Sequence, residues 1–281
     1  MFEILNFFKE TAAKNPAMNC GDSPEKLMPE FWDQRSGSYA KRSFAPETKA
    51  SAEKLLDFLA FSKDETALDT ACGAGIFALP LAERIKKVTA LDFSKGMLSE
   101  LEKEAKNRGV SNIETVHSRW LDYETKETFD NVLAMNCLGV LSLDAELQPR
   151  LEETLTKLYS YARKKLVILI PHADSLFSEE LQQIMGLYPA PIERQRIAYF
   201  YMAMIYCGML PELKILETPA FHAFQNKDEA LEFLLERAEK KLSNNEIEAI
   251  KQQLARELAE SDGQLILPYI HKKALYVATK N

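Results

Sequence analysis

The sequence predicts an α/β fold built on a mostly parallel sheet with helices on both faces. Two observations carry this. Between residues 67 and 170, short apolar runs alternate with amphipathic stretches of helical period. The first run, Ala67-Leu68-Asp69-Thr70-Ala71, breaks into Cys72-Gly73-Ala74-Gly75, and the next run ends in Asp92. That reads as strand, tight glycine turn and helix start, then a second strand closed by an acid. Parallel neighbours need crossover helices, and the crossovers are expected to be right-handed.

Taken in order, residues up to 42 read as a helical lead-in broken at Asn15-Pro16 and Gly21-Asp22-Ser23-Pro24. Residues 48–61 have helical spacing, with Ala52, Leu55, Leu56 and Leu59 on one face. A strand follows at 67–71, a helix at 76–87 and a strand at 88–91. The helix at 94–107 can be capped by Ser94 and ended by Gly109. Residues 113–117 and 129–135 are the third and fourth strands, 144–164 a long amphipathic helix, and 165–170 a fifth strand closed by Pro171. Beyond it the pattern changes. Residues 192–207 are an aromatic- and methionine-rich helix ended by Gly208, and 212–217 a sixth strand. Two charged amphipathic segments, 228–240 and 244–260, precede a last strand at 274–278. There is no internal repeat and no low-complexity tract.

Composition narrows the function classes. Acidic residues outnumber basic ones, 42 to 35, for a net charge of -7. Strong nonspecific attraction to nucleic acid or an anionic membrane is therefore not expected overall. The four cysteines, Cys20, Cys72, Cys137 and Cys207, are scattered. They form no CxxC pair and have no histidine at metal spacing, which argues against a zinc site and a disulfide framework. Reduced thiols in the cytoplasm are the simplest reading. The apolar N-terminus is interrupted by Glu3, Lys9 and Glu10, so it fails as a secretory segment and reads as an amphipathic helix packing on the domain. No run approaches the roughly 18 apolar residues of a membrane span.

In an open parallel sheet a ligand sits beyond the carboxyl ends of the strands, near the point where strand order reverses. Gly73 and Gly75 let the turn tighten and ligand atoms approach the backbone. Asp92 can accept both hydroxyls of a ribose, and Phe93 can pack on a purine. The pattern departs from the dinucleotide fingerprint, because its third glycine position is Ala78. Asp69, an acid inside the turn strand, is ill placed for a phosphate and suits a ligand carrying an amine or a sulfonium.

The run Leu68-Asp69-Thr70-Ala71-Cys72-Gly73-Ala74-Gly75, then Ala90-Leu91-Asp92-Phe93-Ser94-Lys95-Gly96-Met97-Leu98, then Phe129-Asp130-Asn131-Val132-Leu133, resembles the class I S-adenosylmethionine-dependent methyltransferases. The likeness in order and spacing covers residues 68–171. It implies a Rossmann-like, doubly wound, seven-stranded α/β sheet with helical cap insertions near 172–208 and 220–265. Residues 1–62 would be a lead-in or cap, and 63–281 the methyltransferase domain. S-adenosyl-L-methionine would be the cofactor and S-adenosyl-L-homocysteine the product. By the same resemblance Asp69, Gly73 and Gly75 line the methionine end and Asp92 holds the ribose. Ser118, Arg119 and Trp120 lie along the adenine, and the end of the fourth strand, with Asn136, faces the sulfur. Two departures stand out. Ala71 replaces the common first glycine, and Arg119 stands where many members carry an acid for the adenine amino group. Arginine cannot accept that hydrogen bond.

Methyl transfer from a sulfonium is an in-line displacement that asks for alignment and exclusion of water. The chain after the fourth strand reads Asn136-Cys137-Leu138-Gly139, without the Asn-Pro-Pro-aromatic motif of the amine-methylating branch. No paired carboxylates suggest a catalytic metal. On the acceptor side, His172 after the fifth strand is a candidate base, against a solvated loop histidine. Arg194 and Arg196, near a helix start, are candidates for an anionic substrate group, against a solvated helix end. Tyr199 is a candidate pocket roof, against plain core packing. The stretch from Phe31 to Tyr39 resembles the lead-in helix of small-molecule members, where a tyrosine or arginine closes over the cofactor; Tyr39 is the first choice and Arg35 the second. The expected function is methyl transfer to a small molecule, with a homodimer as a further expectation. The alternatives are a tRNA or rRNA methyltransferase and a non-catalytic cofactor-binding scaffold or partner subunit.

Overall fold

The first five apolar runs become five strands lying side by side in parallel. They are β1 (Thr66–Thr70), β2 (Lys87–Asp92), β3 (Ile113–His117), β4 (Phe129–Met135) and β5 (Ala162–His172). The structure, a computed structural model, describes residues 28–144, 150–172, 177–187, 191–238, 240–261 and 263–280; the side chains of 172 and 191–196 lie outside the description. The expected lead-in breaks near residues 15 and 22, and Cys20, also fall outside it.

Sheet order is β3-β2-β1-β4-β5-β8-β6, where β6 is Pro211–Phe224 and β8 is Gln264–Thr279. An eighth strand, β7 (Ala259–Ser261), pairs antiparallel with β8 off this path. The order reverses between β1 and β4, so β1 has neighbours on both sides, with Asp69 opposite Ala90 and Leu133. Nearly every residue of β1, β2 and β4 is buried, whereas the edge strand β3 is half-exposed. The apolar runs at the centre therefore do not alternate, because both faces of the sheet are covered.

Helices α1 (Pro29–Ser43) and α2 (Pro46–Leu59) each begin with proline at the first helical position, where its missing N–H costs nothing. Helix α2 buries the face Ala52, Leu55, Leu56 and Leu59. The expected helix at 76–87 contracts to α3 (Ala78–Ala82), all five residues buried. Helix α4 (Lys95–Arg108) starts on Ser94, whose Oγ accepts from the Met97 amide, and ends on Gly109 in the left-handed region. After the short α5 (Leu138–Leu141), the expected helix at 144–164 is described as α6 (Leu151–Tyr161): residues 145–149 lie outside the described residues, and at the far end Ala162 turns into β5. The basic run that reads as a helix end belongs to the strand: Arg163 pairs with Asp130 at 3.0 Å, Lys164 pairs with Glu65 at 3.0 Å, and Lys165 Nζ donates to the Leu59 carbonyl at 2.9 Å.

Two compact units emerge. The first runs to Ile170 and adds Tyr199–Leu213 and Leu275–Asn281; the second is Pro171–Ala198 and Lys214–Ala274. The expected division at residue 62 is not a boundary between units, since α1 packs on α4 within the first. The second unit contains α7 (Glu179–Met185), α9 (Lys227–Leu235) and α10 (Asn244–Glu257), around a core that includes Leu181, Met185, Leu234, Ile250 and Leu254. Helix α8 (Pro191–Tyr206) buries Tyr199, Phe200, Ala203 and Met204. Strand β6 runs far beyond the expected 212–217 despite Pro219, because at the edge of the sheet a missing ladder donor is tolerated.

Gly75 has φ +92°, and a Cβ there would lie 2.8 Å from Leu101 Cγ and 3.3 Å from Leu79 Cδ1. Both leucines are fully buried. Gly75→Ala is expected to cost about 2–4 kcal/mol in urea unfolding, from backbone strain and overpacking together. Gly109→Ala has φ +69° but open space around it and should cost only about 1 kcal/mol.

Candidate cofactor site at the switch point

The turn after β1 is left-handed at three alternate residues: Ala71 at φ 49°, Gly73 at 56° and Gly75 at 92°. Successive positive φ values fold the chain back on itself. The Cys72 amide donates to the Leu91 carbonyl at 3.0 Å, extending the sheet contact by one bond, and the Gly75 amide donates to the Cys72 carbonyl at 3.0 Å. A β-carbon makes the first of these positions costly, and Ala71 bears it.

Asp92 ties this turn to the one after β2. Its Oδ2 accepts from the Gly73 amide at 2.8 Å, and its Oδ1 accepts from the Ser94 amide at 2.9 Å. The carboxylate is buried. Desolvation pushes its pKa up to about 6, with the amides of Ser94, Gly73 and Phe93 drawing it back. Asp69, one turn inward on β1, is held higher still, at about 8, by desolvation and by the neighbouring Asp92 charge. Only the Ala78 amide opposes this, and Asp69 Oδ2 is buried with no hydrogen-bond partner. A buried acceptor without a donor is costly unless a ligand supplies one. The pair fits a group with a cation at one end and vicinal hydroxyls at the other, as the sequence suggests.

Next to this turn lies a small, partly open cleft lined by Ala71, Leu91, Phe93, Arg119, Trp120 and Leu141, among others. The Arg119 guanidinium sits over the Phe93 ring, 5.7 Å from its centroid. Trp120 is 3% exposed, and its indole N–H has no hydrogen-bond partner. The Ser118 amide donates to the Asp92 carbonyl at 3.0 Å, which fixes the start of this segment to β2.

Tyr39 reaches the same turn from α1: a Cβ on Gly73 would lie 3.2 Å from Tyr39 Cε1. The Tyr39 hydroxyl is held in its neutral form, its pKa raised by burial and by the Asp92 charge, against a hydrogen bond with Ser43. It is therefore a hydrogen-bond donor rather than a base. Sequence reading passed over the residue that seats this helix. Asp33 Oδ1 accepts from Ser94 Oγ at 2.6 Å and from the Gly96 amide at 2.8 Å. The signal was available, since Trp32, Asp33, Ser36, Tyr39, Ala40 and Ser43 fall on one helical face.

Other expected residues are less central. Asn136 closes β4 at φ 59° with an exposed side chain, its amide donating to the Leu169 carbonyl at 2.7 Å. Next to it, the Cys137 thiol donates to the Thr70 carbonyl at 3.3 Å, which brings the ends of β4 and β1 together. Burial keeps Cys72 and Cys137 protonated, with pKa values well above the ordinary thiol range. Arg35 turns back along α1 over the Phe31 ring, 3.8 Å from its centroid. Tyr199 is buried against Phe200. His172 ends β5, and Arg194 and Arg196 lie in the first turns of α8, but their side chains are outside the described residues. Among the described residues no group of three or more His, Cys, Asp or Glu side chains could hold a metal ion. None of the described helices is long and apolar enough to cross a membrane.

Comparison with known proteins bears on the family and the fold. A family profile described as a methyltransferase domain matches residues 67–160. An uncharacterized protein of Haemophilus influenzae is 31% identical over 142 residues, half of each chain. A 23S rRNA (uracil-C5) methyltransferase of Edwardsiella ictaluri is 27% identical over 167 residues, 53% of this chain and 38% of that one. The chain thus spans half or less of the length of these curated relatives. In structure, an S-adenosylmethionine-dependent methyltransferase from Aquifex aeolicus is similar in fold at TM-score 0.50 and 15% identity, covering 86% of this chain and 98% of that one.

The raised carboxyls make stability depend on pH. Between about pH 4, where these acids titrate in the unfolded chain, and about pH 8, the folded protein holds the extra protons. Stability is therefore lost as pH rises through that window. Asp69→Asn should match the parent near pH 4.5 and melt several degrees above it near pH 8.5, as read by calorimetry at both pH values. An equal difference at both would contradict the buried-charge account.

Proposed function

We propose, from the methyltransferase-domain profile matched by residues 67–160, that this chain is a class I S-adenosylmethionine-dependent methyltransferase and that it transfers a methyl group from S-adenosylmethionine to a small molecule. One observation carries the cofactor reading: the partnerless, buried Asp69 Oδ2 beside an Asp92 whose two oxygens are fixed by backbone amides. When bound, the cofactor supplies an electrophilic methyl on a sulfonium.

The residues divide the work by chemistry. Asp69 takes the ammonium of the methionine end and, on doing so, gives up the proton that burial makes it keep. Asp92 accepts the ribose hydroxyls on lone pairs left over from its bonds to Gly73 and Ser94. The left-handed turn through Ala71, Gly73 and Gly75 presents backbone rather than side chain to the ligand. Phe93, Arg119 and Trp120 enclose the base, and the unpaired Trp120 N–H offers a donor to a ring nitrogen. Tyr39 closes the site over Gly73 and excludes water there. Asn136 stands at the β4 end toward the reacting atoms. His172, as base, and Arg35, Arg194, Arg196 and Tyr199, as acceptor contacts, are proposed for the acceptor side, with S-adenosylhomocysteine as product. A base is needed only for an acceptor that starts protonated.

The net charge of -7 favours a small-molecule acceptor over RNA. The likeness to an rRNA methyltransferase supports an RNA acceptor as the second reading. A cytoplasmic location and a homodimer belong to the same proposal.

Calorimetric titration with S-adenosylmethionine at pH 7, in buffers of different ionisation enthalpy, should show release of about one proton. Asp92→Ala should weaken binding about a hundredfold, the loss expected when two hydrogen bonds to a charged acceptor are removed. Buffer-independent heats, or full affinity in that variant, would remove the basis of the reading. Methyl-labelled cofactor given with a metabolite extract, and separately with ribosomal RNA, decides the acceptor by which fraction takes up label.

A further inference from the structure

The α1 face toward the site packs Ala40, Trp32 and Tyr39 against Ala74 and Met97, and Asp33 adds a polar tie to the loop after β2. Asp33 Oδ1 receives both the Ser94 hydroxyl, at 2.6 Å, and the Gly96 amide, at 2.8 Å. The same Ser94 donates its backbone amide to Asp92 Oδ1 at 2.9 Å, and its Oγ also caps α4 by accepting from the Met97 amide at 3.1 Å. The fit is close: a Cβ on Gly96 would lie 2.9 Å from Asp33 Cα and 3.0 Å from Ser36 Oγ. Two helical turns further on, the same face carries Tyr39 onto Gly73, with Trp32 packed edge-on against the Tyr39 ring, centroids 5.7 Å apart. Asp33 is exposed, yet its pKa is lowered by the Ser94 and Gly96 hydrogen bonds and, more weakly, by His117 and Lys95. An acceptor shared by two donors from one loop constrains the helix in position as well as distance.

We propose that Asp33 is a positioning residue: it latches α1 to the loop between β2 and α4, so that Tyr39 is held over the Gly73 turn and Ser94 is held against Asp92. The proposal rests on the cofactor reading above. The latch acts on the lifetime of the bound ligand more than on its capture. With the latch broken, α1 lifts more readily, Tyr39 leaves Gly73, and ligand escapes faster. Because the bonds are made partly in water, the expected effect is moderate.

The dissociation rate of S-adenosylhomocysteine, measured by surface plasmon resonance on the full chain, reads this directly. Asp33→Ala should raise it about fivefold, and Asp33→Asn should restore it, because the amide oxygen accepts the same two bonds. Gly96→Ala is the stronger discriminator. It replaces glycine by the better helix former in the first turn of α4, so it does not weaken that helix, yet its methyl pries Asp33 away and should also speed dissociation. A merely structural loss would lower the bound fraction and leave the rate of the remaining complexes unchanged. If Asp33→Ala and Gly96→Ala keep the parental rate while Asp92→Ala loses binding, the latch is overturned and the cofactor reading stands. If the parent does not bind S-adenosylhomocysteine, both fall.

Discussion

The first unit depends on what a single carboxylate does between two turns. Asp92 spends one oxygen on the Gly73 amide and the other on the Ser94 amide, so the loops after β1 and β2 share an acceptor. Each loop has local bonds of its own, Cys72 to Leu91 in the first and the Ser94 cap in the second, and Asp92 joins the two. The first is left-handed at Ala71, Gly73 and Gly75, and isolated chains with that sequence would avoid it. Burying the carboxylate is costly, but two amide donors and the start of α4 offset part of that cost. What results is a pair of turns whose backbone is fixed by one shared carboxylate.

The same constraint explains why α1 matters to the site. Ser94 is bonded to Asp92 through its amide and to Asp33 through its hydroxyl. A residue on the lead-in helix is thereby connected, through one serine, to the acid at the centre of the site. Gly96 and Gly73 serve this closeness in different ways. Gly96 leaves room for the α1 backbone, and Gly73 leaves room for the Tyr39 ring while holding a φ of +56°.

The central fold was legible because its signals are local and redundant. Strands β1 to β5 announce themselves as apolar runs, Ser94 and Gly109 bracket α4, and the face of α2 follows from period alone. Asp69 and Asp92 stood out in the sequence because an ionisable residue inside an apolar strand is unusual, and both are buried. What was not legible depended on partners far off in sequence. Arg163 to Lys165 look like a helix end until Asp130, Glu65 and the Leu59 carbonyl are seen to receive them. The reach of β6 past Pro219 depends on its place at the edge of the sheet, which no local pattern states. Asp33 shares a helical face with Trp32, Ser36 and Tyr39, but which partner it meets is set 61 residues away at Ser94, beyond any local pattern.

The two ends of the sheet carry the same residue type in opposite poise. At the amino ends of the strands, Asp130 accepts from the Thr66 amide and faces Arg163 and Lys164, which hold its pKa at about 2. Glu65 is likewise lowered by Asn131 and Lys164. These carboxylates are already paired and contribute to fixing β1, β4 and β5 together. At the carboxyl ends, Asp69 and Asp92 meet amides and each other but no Lys or Arg side chain among the described hydrogen bonds and ion pairs, and both are raised. Raised, buried acids destabilise a fold, and under the proposed function their place at this end is where stability is given up for binding. In the proposed function a cationic ligand would complete at that end what arginine and lysine complete at the other.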